Sequence, residues 1–374
     1  MADVLRGLSL LESLTESMES DRLSEVREAV EELLISRVNV ALVGERGREK
    51  ADLLNALRGL GPEDQGAALC PGPEPPEGVV GYPDPKHPDF RLWDLPPPAA
   101  PEGYLDRVRF CRYGAVLMVF TRTPPPASVR VFLEARSVQR TPVFFTLLAS
   151  AQDDPRALEA RRSGSLAALA ARGVSAPRVY VLAPAALHAW DFPALLEDVA
   201  RELPALRAQA LVLALPVLGP WLVPQKKAAL RTLALAAAWL SGGAAAVPVP
   251  LVASVVDAGV AARVLATAQR SLCLDERSLE SLARQSGADA SGLKALRTCA
   301  LSVEVGRGEV RRRLAAADVG GASACSELVA LALPRQARSA GRSFAAMLQA
   351  LSGAIDDMAA DAERITAAAH GGRK

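Results

Sequence analysis

Gly44, Gly47, Lys50 and Asp94 are the residues of this chain whose types and spacing suit chemistry, and that chemistry is the holding of phosphate. The stretch Gly44-Glu45-Arg46-Gly47-Arg48-Glu49-Lys50-Ala51 has the layout of a phosphate-binding loop, Gly-x-x-x-x-Gly-Lys-Ser/Thr. In such a loop glycines let successive backbone N–H groups curl around the phosphates, the lysine neutralises charge, and the hydroxyl binds magnesium. Gly44 and Lys50 fit, but Glu49 stands where the second glycine belongs and Ala51 where the hydroxyl belongs. At an effective dielectric of about 20, a carboxylate about 4 Å from one phosphate charge costs roughly 4 kcal/mol. Facing the phosphates, Glu49 would weaken binding by about a thousandfold; turned outward it would do less. Ala51 removes the magnesium ligand outright. Gly44, Gly47 and Lys50 could still hold a phosphate at a helix N-terminus.

Such a loop needs a strand ahead of it and a helix behind it. Val38, Val40, Leu42 and Val43 predict the strand, and Leu53, Leu54, Leu57 and Leu60, three or four apart, predict the helix. From residue 38 to about 200, short apolar runs (Val38 to Val43, Phe90 to Trp93, Ala115 to Phe120, Val143 to Leu148, Val179 to Leu182) alternate with helical stretches such as Leu158 to Arg172. That pattern predicts an α/β, doubly wound parallel sheet, with Gly44, Asp94 and Ala149 gathered beyond the strand C-terminal ends.

The flanks read as helical. Val4, Leu8, Leu11, Leu14 and Met18, then Leu23, Val26, Val30 and Leu33, predict one or two amphipathic helices in residues 1–36. Residues 201–374 form a second, all-α region punctuated by prolines, leaving 37–200 for the sheet domain. Residues 232–256 carry no charge, but Gly242-Gly243 and Val247-Pro248-Val249-Pro250 split them into Thr232 to Leu240 and Leu251 to Val256, each too short to span a bilayer. An Ala-rich helical hairpin is the reading, with contact to a membrane surface as its alternative. Phe344, Met347, Leu348, Leu351, Ile355, Met358 and Ile365 form one helical stripe after Arg335, Arg338 and Arg342, suited to closing the helical domain or to touching anionic lipid.

Composition excludes several classes. Half of the 374 residues are apolar and the net charge is +1, which gives no argument for nucleic acid. Five scattered cysteines without a Cys-x-x-Cys pair fit a reducing, cytoplasmic setting, and three distant histidines make a poor metal site. Arg6, Glu12, Glu16 and Glu19 interrupt any signal sequence, and Ala2 excludes N-myristoylation. No metal and no catalytic residue is expected.

Beyond the loop, Asn55-Ala56-Leu57-Arg58-Gly59, Gly66-Ala67-Ala68, Trp93-Asp94-Leu95-Pro96, Trp190-Asp191-Phe192-Pro193, Leu213-Ala214-Leu215-Pro216 and Leu274-Asp275-Glu276-Arg277-Ser278-Leu279 occur in order along nearly the whole chain. In these the chain closely resembles the immunity-related GTPase family. The resemblance implies a Ras-like G-domain sheet beside a helical domain formed by the N- and C-terminal helices together. It also implies GTP and magnesium as the family's ligands, and the matching positions are altered one after another. No threonine for a first switch lies between Gly59 and Thr121; the second switch keeps Asp94 but has Pro97 for its glycine, which offers no N–H. Leu147-Leu148-Ala149-Ser150-Ala151 replaces the guanine-reading motif, with Asp153 and Asp154 slightly too late, and Ala183-Pro184 replaces a base contact.

The resemblance therefore implies a pseudo-GTPase, similar in kind to members with a degenerate nucleotide site, that serves as a nucleotide-independent scaffold. Its expected setting is cytoplasmic or peripheral on vesicles, autophagosomes or lysosomes, linking membrane or protein cargo to autophagic handling in innate immunity. A slow GTP-binding switch or GTPase on intracellular membranes is the alternative. Autophagy adaptors present an aromatic-x-x-aliphatic tetrad that adds a strand to a ubiquitin-like modifier. Phe192-Pro193-Ala194-Leu195 has that form, which makes Phe192 and Leu195 candidates, although the same segment suits the start of a helix. Pro73-x-x-Pro76 and Pro98-x-x-Pro101 offer polyproline ligands, against a decayed switch as the plainer reading.

Overall fold

The computed structural model describes residues 38–69, 78–87, 90–150, 152–244, 250–319 and 338–371. The predicted helices within residues 1–36, the pair Pro73 and Pro76, Cys70, Cys325 and Arg335 lie outside the described residues. The chain divides into two compact units, with the junction between Leu218 and Gly219.

The first unit is built on a six-stranded sheet in the order β2-β3-β1-β4-β5-β6. β1 (Val38–Val43), β3 (Phe90–Leu95), β4 (Ala115–Phe120), β5 (Val143–Leu148) and β6 (Val179–Leu182) run parallel, and β2 (Val80–Pro83) lies antiparallel on β3. β4 and β6 are buried at every residue, which is why continuous apolar runs rather than alternation announced them. β2 escaped the sequence reading because its four residues, two of them exposed, sit in proline-rich text. Gly81 is required there, since a Cβ would come within 2.7 Å of the Trp93 ring. Pro83 ends the strand at a sheet edge, the place where a missing N–H does least harm.

Helices α1 (Arg48–Ala56), α2 (Tyr104–Arg107), α3 (Pro126–Glu134), α4 (Pro155–Ala171), α5 (Phe192–Glu202) and α6 (Ala205–Ala214) complete the described part of this unit. α1 stops where Gly59 turns left-handed (φ 66°) and the Leu60 N–H donates back to the Asn55 carbonyl at 2.9 Å. Ala41, Val43, Leu95, Val116, Met118 and Leu147 from the sheet pack with Tyr104, Phe110, Val129 and Phe132 in one buried cluster. α6 lies beyond residue 200, where the sequence divides the domains, yet it falls in the sheet-bearing unit and packs on β1 and β3.

The described part of the second unit is helical: α7 (Leu222–Ala244), α8 (Pro250–Ser271), α9 (Glu276–Ser286), α10 (Ala290–Ala295), α11 (Ala300–Val303), α12 (Arg307–Val319) and α13 (Arg338–Gly371). α7 runs through Gly242-Gly243 rather than stopping at Leu240. Each glycine costs about 1 kcal/mol of helix propensity and does not by itself end a helix. Most of the predicted stripe on α13 is internal: Met347, Leu351, Ile355, Met358 and Ile365 are each no more than 2% exposed, while Phe344 and Leu348 are half-buried. α13 packs on α7, and Asp356 accepts ion pairs from Lys227 at 3.1 Å and Arg231 at 2.9 Å. Residues 245–249, the turn of the predicted hairpin, lie outside the described residues, and among those described no helix is long and apolar enough to cross a membrane.

Candidate nucleotide site

Sheet register brings the loop and Asp94 together. Leu42 pairs with Asp94 and Val43 with Leu95, so the turn beginning at Gly44 opens beside the end of β3. Gly44 is held there by packing, because a Cβ would stand 2.3 Å from the Val119 carbonyl oxygen of β4. Gly47 is the N-cap residue of α1, and Lys50, in the first turn, points back into the loop.

The lysine is captured. Lys50 is 2% exposed and its ammonium donates to the Gly44 carbonyl at 2.9 Å and the Leu95 carbonyl at 2.6 Å. Asp94 Oδ1 lies 2.6 Å from the same nitrogen, and Asp94 Oδ2 pairs with Arg46 Nε at 3.3 Å. Arg46 also donates to the Gly78 carbonyl, across from the loop. Two cations thus share one buried carboxylate, and Arg46 was overlooked in the sequence. It is separated from Asp94 along the chain by α1 and β2, and only the parallel pairing of β1 with β3 puts them together.

Glu49 and Ala51 resolve differently from one another. Glu49 is exposed, and a Cβ at Gly47 would meet its carboxylate oxygen at 3.4 Å, so the acid curls back over the N-terminus of α1. There it complements the positive end of the helix, a place that a phosphate would take. Ala51 is buried and supplies no hydroxyl. Pro97 is exposed, without an N–H, and Pro98 beside it is buried, so the Pro98-x-x-Pro101 pair is not a free polyproline ligand.

The remaining matched residues hold the scaffold. Asn55 and Ala68 exchange two bonds, at 2.9 and 2.6 Å, which tie the following loop to α1. Arg58 donates to the Gly66 carbonyl at 2.9 Å and to the Pro83 carbonyl at 2.9 Å, and its guanidinium lies 5.4 Å from the Tyr82 ring centre. Trp93 donates to Asn39 Oδ1 at 2.9 Å beneath Arg112, whose guanidinium is 3.9 Å from its ring. After β5, Asp153 accepts from the Ser150 N–H at 2.8 Å and from Arg161 at 2.6 Å, and Asp154 caps α4 through the Ala157 N–H at 3.2 Å. Both acids that could have stood in for a guanine reader are committed to the turn. The Arg161 hydrogen bond, with the Ser150 N–H, holds the Asp153 carboxyl below its ordinary range.

Phe192 and Leu195 do not form a modifier-binding strand. They open α5 and are 4% and 2% exposed, buried in the core of the unit, so the extended conformation and free side chains that β-addition requires are both missing. Proline at the second position fits the first turn of a helix as well as it fits an extended tetrad, which is why the sequence alone supported both.

Burial pulls the Lys50 ammonium down to about 8 from its ordinary 10.5, against the opposing pull of Asp94. Between those two values the unfolded chain holds a proton that the folded chain has released, so stability rises with pH across that window. Equilibrium urea denaturation should show the natural chain gaining on the order of 2 kcal/mol over a Lys50→Met variant between about pH 7.5 and 9.5. Parallel pH profiles for the two proteins would contradict the burial.

The sequence model for the interferon-inducible GTPases matches residues 8–123 and 149–338. The chain is 32% identical to interferon-inducible GTPase 5 of Rattus norvegicus over 97% of its own length and 83% of that protein's. It is 31% identical to the Bos taurus protein of the same name over 97% and 82%. With the immunity-related GTPase family Q protein of Mus musculus it shares 28% identity over 72% of this chain and 50% of that one.

Proposed function

The chain belongs to the interferon-inducible GTPase family, and from that premise we propose that it is a non-hydrolysing member, a pseudo-GTPase that acts as a nucleotide-independent scaffold. The observation that carries the reading is the captured lysine: Lys50 already holds Asp94 and two carbonyls inside the loop. Depriving a buried charge of its partner costs about 3 to 5 kcal/mol, which is roughly two to four powers of ten in affinity before the phosphate returns any of it. Ala51 and Pro97 add the loss of a magnesium ligand and of a donor to the terminal phosphate. The residues present do not fit a magnesium–GTP centre and supply no hydrolytic step of that kind.

The second reading is a slow GTP-binding switch or GTPase on intracellular membranes. It is favoured by the retained loop, by Gly44, Gly47, Lys50 and Asp94, and by relatives that are named as GTPases. Single-turnover hydrolysis separates the two. Excess chain mixed with trace radiolabelled GTP and magnesium should release phosphate no faster than buffer, whereas release that a Lys50→Ala variant abolishes would establish the switch.

Family resemblance supports the setting: interferon-linked defence, with membrane or protein cargo passed to autophagic or lysosomal handling, and a cytoplasmic or peripheral location. Ubiquitin-like autophagy modifiers remain partners of this reading only through a surface other than Phe192 and Leu195. Recovery of the chain with lysosomal membranes under interferon treatment would support the peripheral location, and recovery in cytosol alone would remove it and leave the cytoplasmic one.

A further inference from the structure

A second recess lies at the opposite end of the sheet from the phosphate loop. A cavity of about 440 Å³ opens between the end of α3, the N-terminal ends of β5 and β6, and the end of α5. Val143 lines it while Leu148 closes β5 at the nucleotide end, so the two sites stand about 17 Å apart along the strand. It contains none of the nucleotide-site residues.

Its wall is aromatic and its rim is basic. Phe132, Phe144 and Tyr180 line it, with the Phe144 and Tyr180 rings edge to face at 6.2 Å. Four arginines and two carboxylates also line it. Arg178, Arg201 and the Tyr180 hydroxyl all bond to Asp198, which satisfies that carboxylate and fixes those two guanidinium groups. Arg136 and Arg140 are different: both are exposed, and neither side chain makes a hydrogen bond or ion pair among the described residues. The backbone that presents them is irregular. Arg136 sits in a π-helical turn, Ala135–Gln139, and Arg140 follows it in the left-handed region at φ 53°. Turns of this kind recur at functional sites, and a left-handed arginine stays so only where surrounding structure holds it.

We propose that this cavity binds an acidic peptide segment of a protein partner, with an aromatic side chain seated among Phe132, Phe144 and Tyr180 and flanking carboxylates on Arg136 and Arg140. The proposal supplies a docking site for the scaffold and rests on that reading for the kind of ligand. The volume takes one or two side chains, and unpaired guanidinium groups favour bidentate contact with carboxylates. A membrane surface fits less well: lipid recognition draws on clusters of about four to eight free basic residues, and here two of the four arginines are already tied to the Asp198 carboxylate.

Peptide display on the purified full chain, with and without magnesium–GTP, tests this. Selected sequences should be enriched in aspartate and glutamate around a single aromatic residue. A fluorescein-labelled consensus peptide should lose affinity about thirtyfold or more in an Arg136→Glu plus Arg140→Glu variant, whose fold is checked by its thermal melt. Failure to enrich acidic sequences, or equal affinity in the variant, overturns the proposal. So does flotation with phosphatidylserine vesicles that the variant abolishes while no peptide is selected. A peptide that binds only with GTP present would keep the cavity and remove the nucleotide-independent reading, so the two can fail separately.

Discussion

Gly44→Ala is expected to cost the folded chain about 3 kcal/mol or more, far above an ordinary glycine substitution, because overpacking against backbone forces strands to move. A methyl group there would meet the Val119 carbonyl oxygen at 2.3 Å and Val119 Cγ2 at 2.7 Å, on the strand that pairs with β1. Gly47→Ala is the contrasting control. Its methyl would meet only the flexible Glu49 carboxylate at 3.4 Å, and the loss should stay within about 1 kcal/mol. Urea denaturation of the two variants measures the difference. The comparison matters for function, since a phosphate cradle uses both glycines, whereas packing requires only Gly44. Similar losses at both positions would mean that the loop is still shaped around a ligand.

Asp361→Ala should cost the helical unit about 2 to 4 kcal/mol, because it removes the acceptor of the buried Cys299 amide and of two Thr298 donors and leaves Arg364 without its carboxylate. Asp361 on α13 is fully buried and receives the Thr298 N–H at 3.1 Å, the Cys299 N–H at 2.9 Å and the Thr298 hydroxyl at 2.9 Å. Those two amides immediately precede α11, so one carboxylate from a distant helix anchors the turn that leads into it. Burial alone would push this carboxyl up, yet the bonds from Cys299 and Thr298 hold it below its ordinary value. A depressed carboxylate stabilises the fold above its unfolded pKa and loses that contribution as pH falls through the folded one. Asp361→Asn keeps one acceptor and should lose about half as much, measured by the same denaturation. A loss below about 1 kcal/mol for the alanine variant would refute the anchoring role.

Much of the fold was legible because its strands are short apolar runs bounded by turns: β1, β4, β5 and β6 coincide with the runs beginning at Val38, Ala115, Val143 and Val179. β2 was not legible, for its side chains neither alternate clearly nor form an apolar run, and what holds it is Gly81 beneath Trp93. At the site, the missing hydroxyl at Ala51 and the missing N–H at Pro97 are properties of residue type and could be read directly. The capture of Lys50 and the arrival of Arg46 depend on register between β1 and β3, which no local pattern encodes, and the direction of Glu49 is a choice of rotamer that residue type leaves open. Phe192 and Leu195 show the converse: a tetrad correct in letters is helical and buried in space.

On the proposed function, the loop has exchanged a ligand for an internal counter-ion. Calorimetric titration of the natural chain with GTP and GDP, with and without magnesium, tests it most directly beside a Glu49→Gly plus Ala51→Ser variant. No heat from the natural chain up to millimolar nucleotide, with magnesium-dependent binding gained by the variant, is the predicted result. Micromolar or tighter magnesium-dependent binding by the natural chain would contradict it and return the nucleotide switch to first place.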